Sequence, residues 1–553
     1  MKCFSPQFDR HSIRQYGIAG VMGLLLVIGG LALKPASRSI ADTPQVSGDS
    51  DRPQSQAKAL SRAAQRQEQS RQIRPENFSL ARYPVTNQNE KHWRNLLWTT
   101  AVVQPQEAFA AEAIEQILSL GTRTGLSDAQ KRTIDMAARV GTQLYLSNPA
   151  RYAQIGEQFR QTIDRSADSE WVAMSLSGLA NGGLSPEQIQ TLVGRVKARF
   201  PNWAATVPLQ TTLREMAELI SPSALPPLRD LLNWEIAPKQ AHLYVLCQRD
   251  RTVLCQTVLK DRNGEFVRQS NGQLWSVPLL LRSIHGLSSN FVRGETPQGV
   301  YRMEGEVSQP DDEFFRAYGQ FPLVNLFVPF EPGAKQFVPG TPGPFKGSLD
   351  TYKRLLPPTW RNHGGIQESF WAGKAGRSLF RIHGTGESPD FFSGKDKNPD
   401  TYNWNPTIGC LSALELYNEQ GQLLQADMPK ILKALQIVGG KKFTGYMVVV
   451  DLPGNARKPV ALETIETVLR NGKLSLGTQP VKPLSTPVLQ VARTQPANLK
   501  PATPIPQAAL PPVEPIAIEP SDTTSAPAAE LPSVVLPDQP EINPSTRPLP
   551  MAY

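Results

Sequence analysis

The sequence predicts a multidomain chain in which an all-α helical domain is followed by a mainly β domain, with a disordered linker before them and a disordered tail after them. Three observations support this prediction. The chain has 553 residues, more than a single hydrophobic core usually holds. Its apolar residues change from helical to alternating spacing near residue 241. Its 50 prolines, which concentrate after residue 479, are too many for packed structure throughout.

Residues 1–40 have the pattern of an export signal or membrane anchor. Basic residues precede an uncharged stretch, Tyr16–Leu33, which as a helix would be roughly 27 Å long. The small-x-small sequence Ser39-Ile40-Ala41 lies far from this stretch, which favours an uncleaved anchor over a cleaved signal. We therefore expect an exported protein whose N-terminal segment contacts the membrane.

A polar linker and a helical domain are predicted to follow. Residues 41–82 are rich in Gln, Ser, Arg and Pro and cannot bury much apolar surface. Over residues 89–235 the apolar residues fall at helical spacing. Ser127 and Ser185 each begin an N-capping pattern with a glutamine three residues on. We expect a bundle or a small HEAT-like array, acting as a spacer or as a docking unit for another protein.

Residues 241–453 are predicted to form the mainly β domain. Runs with alternating apolar residues are separated by Gly, Asn and Pro turns: Leu243–Leu246, Thr252–Leu254, Gln273–Val277 and Phe321–Phe327. A helix over Met428–Val438 precedes a closing strand, Tyr446–Val450. Residues 476–553 are rich in Pro, Ala, Thr and Ser, which predicts a disordered tail, partly polyproline II.

Charge and cysteine content limit the function classes. A formal net charge of +9 favours anionic polymers or lipid surfaces, but the Lys and Arg residues form no nucleic-acid motif, so no nucleic-acid partner is expected. Of the four cysteines, Cys3 precedes the apolar stretch. Cys247 and Cys255 flank a predicted turn and can pair only if the two strands are in register, a question that the sequence leaves open. Cys410 is the remaining thiol.

Three segments of the β domain carry residues suited to acyl transfer: Gly294–Tyr301, Phe380–Gly386 and Pro406–Ser412. His383 ends an apolar run and is followed by glycine, so its imidazole can project from a strand end. Cys410 follows Gly409, which permits a tight turn. A thiol becomes a useful nucleophile when a histidine accepts its proton, and backbone N–H groups in such a turn can stabilise an oxyanion. The alternative is a buried structural cysteine and an unrelated histidine.

These segments resemble the L,D-transpeptidase catalytic domain family (YkuD type). Thr296–Tyr301 matches the family's Thr-Pro-x-Gly-x-aromatic segment, and Ile382–Thr385 matches its Ile-His-Gly-Thr strand end. Thr407, Gly409 and Cys410 match its Ser/Thr-His-Gly-Cys segment. The resemblance covers about residues 241–451 and implies a β-sandwich-like fold.

The resemblance also implies a reaction and a place in the cell. Cys410 would form a thioester with a peptidoglycan stem peptide and pass the acyl group to an amine of a neighbouring stem. His383 would be the general base, oriented by the carbonyl of Gly384, with Gly409 at the oxyanion site. No metal or organic cofactor is implied. The expected location is the periplasm of the bacterial cell envelope, with an inner-membrane anchor if the N-terminal segment is retained.

Further residues are expected to line the cleft: Thr407, Ile408, Ser412, Tyr301 and His363. Two of them depart from the family, since Ile408 replaces its second histidine and Ser412 replaces an Asn or Arg. His285 and His363 either substitute for that histidine or are structural.

The connection from His383 to Thr407 is longer than is usual in the family and contains Phe391, Phe392 and Trp404. It is either a lid over the cleft or a solvated insertion. Two alternative functions stay open. With water as acceptor the enzyme would be an L,D-carboxypeptidase, and without efficient chemistry the protein would be a peptidoglycan-binding scaffold.

Overall fold

The computed structural model describes residues 39–40, 67–308, 319–384, 404–417, 423–454 and 458–471. A helical region, residues 67–233, is followed by a mostly β region that contains a closed eight-stranded barrel. The predicted order of an all-α and a mainly β part is therefore confirmed. The predicted β-sandwich-like arrangement is not confirmed, because the sheet closes on itself.

Several sequence predictions fall on residues outside the described ranges. They are the apolar stretch Tyr16–Leu33, the proline-rich tail and most of the connection between His383 and Thr407. Within the described ranges, no helix has both the length and the apolar character needed to cross a membrane.

Residues 67–72 at the start of the helical region are helical. Short 3₁₀ turns and these α-helices follow: α1 (Glu90–Val103), α2 (Ala108–Ser119), α3 (Asp128–Ser147), α4 (Ala153–Arg165), α5 (Ser169–Asn181), α6 (Pro186–Arg199), α7 (Val207–Ile220) and α8 (Leu228–Asn233). Ser127 and Ser185 cap α3 and α6 with the predicted capping boxes, in which the side-chain oxygens of Gln130 and Gln188 accept a hydrogen bond from the cap amide. Helices α1 to α7 pack on one another around a core that includes Trp93, Ile114 and Phe159. We call this core the helical core.

The barrel consists of β2 (Ala241–Gln248), β3 (Cys255–Lys260), β5 (Pro278–Leu280), β6 (Gly299–Val307), β7 (Leu323–Phe327), β8 (Arg381–Gly384), β9 (Leu411–Ala413) and β12 (Thr444–Leu452). Their order is β12-β2-β3-β5-β9-β8-β7-β6, and β6 returns to β12. The β12–β2 and β8–β9 pairs are parallel and the other pairs are antiparallel. Two small two-stranded pairs join β1 (Ser39–Ile40) to β4 (Arg268–Gln269) and β10 (Glu415–Tyr417) to β11 (Leu423–Ala426).

Both faces of the barrel wall are buried. Inside, Leu243 and Val449 meet apolar residues of helix α11 (Met428–Gly439). Outside, Tyr244 and Val448 pack with α8 and with further helices of the β region: α9 (Leu349–Lys353), α10 (Glu368–Lys374) and α12 (Leu462–Asn471). Burial on both faces explains why the run Tyr446–Val450 is continuously apolar. The sequence predicts that strand and α11 but not α12.

Cys247 and Cys255 form a disulfide, which answers the question that the sequence left open. The bridge joins the end of β2 to the start of β3. In the turn between them, Arg251 is buried and pairs with Asp451 of β12 at 2.8 Å. Cys410 is consequently the free cysteine of the described residues.

Candidate active site

The parallel pair β8–β9 brings Cys410 and His383 into neighbouring positions. The register places His383 opposite Ser412 and Ile382 opposite Leu411. Cys410 immediately precedes β9, so it lies one strand across and two residues along from His383. Strand spacing of about 4.8 Å and a rise of about 3.3 Å per residue put the two Cα atoms roughly 8 Å apart. That distance lets the two side chains meet.

The Cys410 thiol is enclosed in this structure. The residue is 6% exposed, and its Sγ donates a hydrogen bond to the carbonyl oxygen of Leu379 at 3.6 Å. Burial raises the pKa of the thiol, although the charges of Arg381 and Arg377 and the backbone N–H of Arg381 oppose this effect. The thiol is therefore protonated at neutral pH and needs a base to act as a nucleophile.

His383 is held in the tautomer that such a base requires. Its Nδ1 lies 2.8 Å from the carbonyl oxygen of Gly384. Because a carbonyl only accepts hydrogen bonds, Nδ1 carries the proton and Nε2 is the basic nitrogen of the neutral ring. Burial lowers the pKa of His383 to about 4, so the ring is neutral at pH 7 and able to accept a proton.

We call Thr407–Cys410, the segment before β9, the nucleophile turn. Thr407 Oγ1 donates to the carbonyl of Cys410 at 2.6 Å, and Thr296 Oγ1 donates to the carbonyl of Gly409 at 2.9 Å. Gly409 has φ 129°, a conformation that favours glycine. Its amide, expected at the oxyanion site, here donates to Thr407 Oγ1 at 3.2 Å. Thr407 within the turn and Thr296 outside it thus both help to fix its backbone.

Leu379, which contacts Cys410, is a non-glycine residue with a left-handed backbone (φ 62°). The carbonyl of Leu379 accepts the thiol hydrogen bond, while its N–H donates to Glu331 at 2.8 Å. Each such conformation costs about 1–3 kcal/mol and persists only where the surroundings enforce it. The strained backbone of Leu379 therefore lies in direct contact with the Cys410 thiol.

Arg377 belongs to the site, although the sequence analysis did not single it out. Its guanidinium donates to the carbonyls of Ser289, Gly294 and Glu295. A Cβ added at Gly409 would lie 2.6 Å from Arg377 Nη2, so the charge directly borders the nucleophile turn. Burial lowers the pKa of Arg377 to about 10, which leaves it cationic at neutral pH. No local sequence pattern identifies Arg377, because only the folding of the chain brings it close to the nucleophile turn.

The expected cleft-lining residues have different surroundings. Tyr301 is fully buried in the barrel, where its hydroxyl donates to the carbonyl of Pro297 at 2.6 Å. Tyr301 therefore lies in the barrel core and contacts the site from within the barrel. The His363 ring packs on Trp360, with 5.4 Å between the ring centroids. Burial lowers the pKa of His363.

Ile408, Ser412 and His285 also differ in role. Ile408 is partly buried against the helical core. Ser412 is buried beside His383, and its Oγ has no hydrogen-bond partner among the described residues. His285 is buried with Nδ1 3.1 Å from Gln143 Oε1, a contact between the barrel and the helical region. The alternatives that the sequence gives for His285 and His363 therefore stay open, with His285 on Gln143 and His363 on Trp360.

A group of carboxyl side chains lies next to Thr296. Glu368 accepts hydrogen bonds from the Gln298 amide and from Ser289 Oγ, and Glu295 directly precedes Thr296. Burial raises the pKa of Glu295 to about 8 and that of Glu368 to about 7. These groups are therefore protonated in the folded protein at pH values at which they ionise in the unfolded chain.

Glu295→Gln should change how stability depends on pH. The folded-state pKa of about 8 lies above the ordinary value, so the stability that the protonated group contributes is complete below about pH 4.5 and lost as the pH rises through 8. The variant should exceed the unchanged chain in free energy of unfolding by about 2–4 kcal/mol at pH 9 and by less than about 1 kcal/mol at pH 5. Urea unfolding at both pH values measures this. Exposed Glu306→Gln is the control, and an equal difference at pH 5 and pH 9 would contradict the assignment.

No protein-family model, curated protein or solved structure matched this chain. The described residues contain no cluster of three or more His, Cys, Asp or Glu side chains able to hold a metal ion. What the site offers is a buried thiol, a neutral imidazole with a fixed tautomer and a neighbouring guanidinium. This combination is suited to nucleophilic acyl transfer.

Proposed function

We propose that the protein is a peptidoglycan L,D-transpeptidase that forms a thioester on Cys410. The observation that carries the proposal is the β8–β9 pairing, which places Cys410 beside a neutral His383 whose Nδ1 is bound by the Gly384 carbonyl. The three sequence segments that resemble the family contribute this pair and the Thr296 contact to the nucleophile turn. We further propose that the barrel is the catalytic domain, a closed version of the family's β-sandwich-like fold.

The reaction would proceed in two acyl transfers. The Cys410 thiol first leaves the Leu379 carbonyl and gives its proton to His383 Nε2. The sulfur then attacks a carbonyl carbon of the donor stem peptide, and a C–S bond replaces the C–N bond to the terminal residue. That residue leaves as an amine after taking the proton from His383. An amine of the acceptor stem next attacks the thioester, passes a proton through His383 and restores the thiol.

Arg377 and Arg381 would assist the first transfer. Both guanidinium groups lower the pKa of the Cys410 thiol against the effect of burial. A positive charge beside the sulfur stabilises the thiolate at the moment of attack. Such a cation offsets in part the absence of a second histidine at position 408.

A scaffold function is the second candidate, and two contacts favour it. The thiol donates to Leu379, and the Gly409 amide donates to Thr407, so both must exchange partners before catalysis. In either case we propose a periplasmic location, with the N-terminal segment in contact with the inner membrane and peptidoglycan stem peptides as the ligand.

Muropeptide analysis distinguishes these functions. Purified sacculi are incubated with the protein or with Cys410→Ala, digested, and examined by mass spectrometry. We expect new crosslinks between the third residues of neighbouring stems, formed only by the unchanged chain. Shortened stems without crosslinks would indicate a carboxypeptidase. Identical spectra for both proteins, together with retained binding to sacculi, would replace the enzyme by the scaffold.

A further inference from the structure

The connection between β5 and β6 is embedded in the helical region. We call residues 282–295 the docking loop. Its apolar residues Ile284, Leu287 and Phe291 are at most 6% exposed and belong to the helical core, not to either core of the barrel. The loop therefore connects two strands of the barrel, but its side chains pack with the helical region.

Polar contacts fix the position of the docking loop on the helices. Asn290 Nδ2 donates to Glu215 Oε2 of α7 at 3.0 Å. The same carboxylate accepts hydrogen bonds from Ser177 Oγ at 3.1 Å and Asn181 Nδ2 at 2.9 Å, both on α5. His285 adds its contact to Gln143 of α3. Because hydrogen bonds are directional, such a network selects one orientation of the loop, which apolar packing alone does not.

The docking loop is bonded in turn to the nucleophile turn. The amide of Ile284 donates to the Thr407 carbonyl at 2.7 Å, and the amide of Thr407 donates to the Arg282 carbonyl at 3.0 Å. At the far end of the loop, Arg377 donates to the Gly294 carbonyl and lies close to Gly409. The docking loop is thus bonded to the start of the turn and to a side chain that borders its end.

Ile408 makes the direct contact between the nucleophile turn and the helical region. It is the one residue of the nucleophile turn whose side chain packs on the helical core. An imidazole at this position would have to be buried against apolar helices, with its polar atoms removed from water. Packing on the helical region thus gives a physical reason for an aliphatic residue where the resembled family has a histidine.

We propose that the helical region positions the nucleophile turn, with Asn290 and Ile408 as the positioning residues. The helices act through the docking loop and hold Cys410 in its enclosed geometry. The region is then an integral part of the site. This inference deepens the proposed function, but it concerns the geometry of Cys410 and is testable without peptidoglycan.

The test measures alkylation of Cys410 by iodoacetamide at pH 8, in a Cys3→Ser background so that Cys410 is the single cysteine outside the disulfide. Asn290→Asp replaces the donor to Glu215 by a further acceptor, and Asn290→Ala removes it. Both should release the turn and raise the alkylation rate, by about tenfold for Asn290→Asp and about threefold for Asn290→Ala. Acyl transfer should fall by similar factors in kcat with little change in KM.

The matched control is Val196→Ala, which truncates a buried side chain of α6, a helix that packs on α4, α5 and α7. Its alkylation rate should stay within about twofold of the unchanged chain. Ile408→Ala should behave like Asn290→Ala, and Ile408→Val should restore the slow rate because it keeps the packing contact. Circular dichroism identifies any variant that does not fold. If the Asn290 variants do not fold, the difference in alkylation rate between Ile408→Ala and Ile408→Val tests the positioning role.

Equal alkylation rates for the Asn290 variants, Ile408→Ala and Val196→Ala would overturn the positioning role. Faster alkylation in the Asn290 and Ile408→Ala variants, with no acyl transfer by any protein including the unchanged chain, would instead keep this inference and reject the proposed function. The two failures are therefore distinguishable.

Discussion

Cys410→Ala should reduce acyl transfer by at least about 10³-fold, because Cys410 is the free thiol of the described residues and the proposed carrier of the acyl group. The rate of crosslink formation with purified sacculi measures the loss. The substitution removes one sulfur atom from a residue that is 6% exposed, so the free energy of unfolding should change by only about 1 kcal/mol. This variant should therefore lose its activity while its free energy of unfolding stays close to that of the unchanged chain.

Cys3→Ser is the control for this prediction. It removes the other cysteine outside the disulfide and should leave the rate unchanged. Residual crosslinking by Cys410→Ala at more than about a tenth of the original rate would mean that another group carries the acyl chain.

His383→Ala should lower the rate by about 10²–10⁴-fold at pH 7, the usual contribution of a general base. In the unchanged chain the pKa of His383 is about 4, so the basic form is complete above that value and lost as the pH falls through it. The rate should then stay nearly constant from pH 8 to pH 5. Without the imidazole, the reactive species is the Cys410 thiolate, whose pKa burial raises. The rate of His383→Ala should therefore increase steeply with pH. Stopped assays from pH 5 to pH 9 measure both profiles.

His242→Gln is the matched control for this profile. Burial also lowers the pKa of His242 to about 4, but its ring contacts the backbone of Ile236 and Gln240. The variant should lose stability and keep a flat profile. A flat profile in His383→Ala as well would show that His383 is not the proton acceptor.

Local sequence patterns predicted the fold in part: Leu243–Leu246 lies in β2, whereas the predicted strands Thr252–Leu254 and Gln273–Val277 are wrong, since β3 and β5 begin just after them. Capping residues such as Ser127 and Ser185 act within one turn of helix, so their effect is visible without the rest of the chain. The strand at Tyr446–Val450 and the preceding helix were also visible, because a continuous apolar run and a helical period are both local patterns. The closure of the barrel was not visible in the sequence, because it depends on β12 pairing with β2 across nearly two hundred residues of chain.

The candidate site was likewise predictable from the sequence only in part. Cys410 and His383 stand out because glycines and strand ends flank them in sequence. Arg377 was missed because its three carbonyl partners lie in a loop some eighty residues earlier. Ile284 and Phe291 looked like ordinary apolar residues of the β domain, and only the structure assigns them to the helical core. The replacement at Ile408 gains a physical reason only after that core is seen.

Intact-protein mass spectrometry with a synthetic donor stem peptide tests the thioester on Cys410 most directly. The protein is mixed with the peptide, quenched with acid, and digested to locate any adduct. The proposed function predicts an adduct equal to the donor acyl group without its terminal residue, located on Cys410, released by hydroxylamine and absent from Cys410→Ala. Crosslinks that form while Cys410 stays unmodified, or an adduct on another residue, would contradict it.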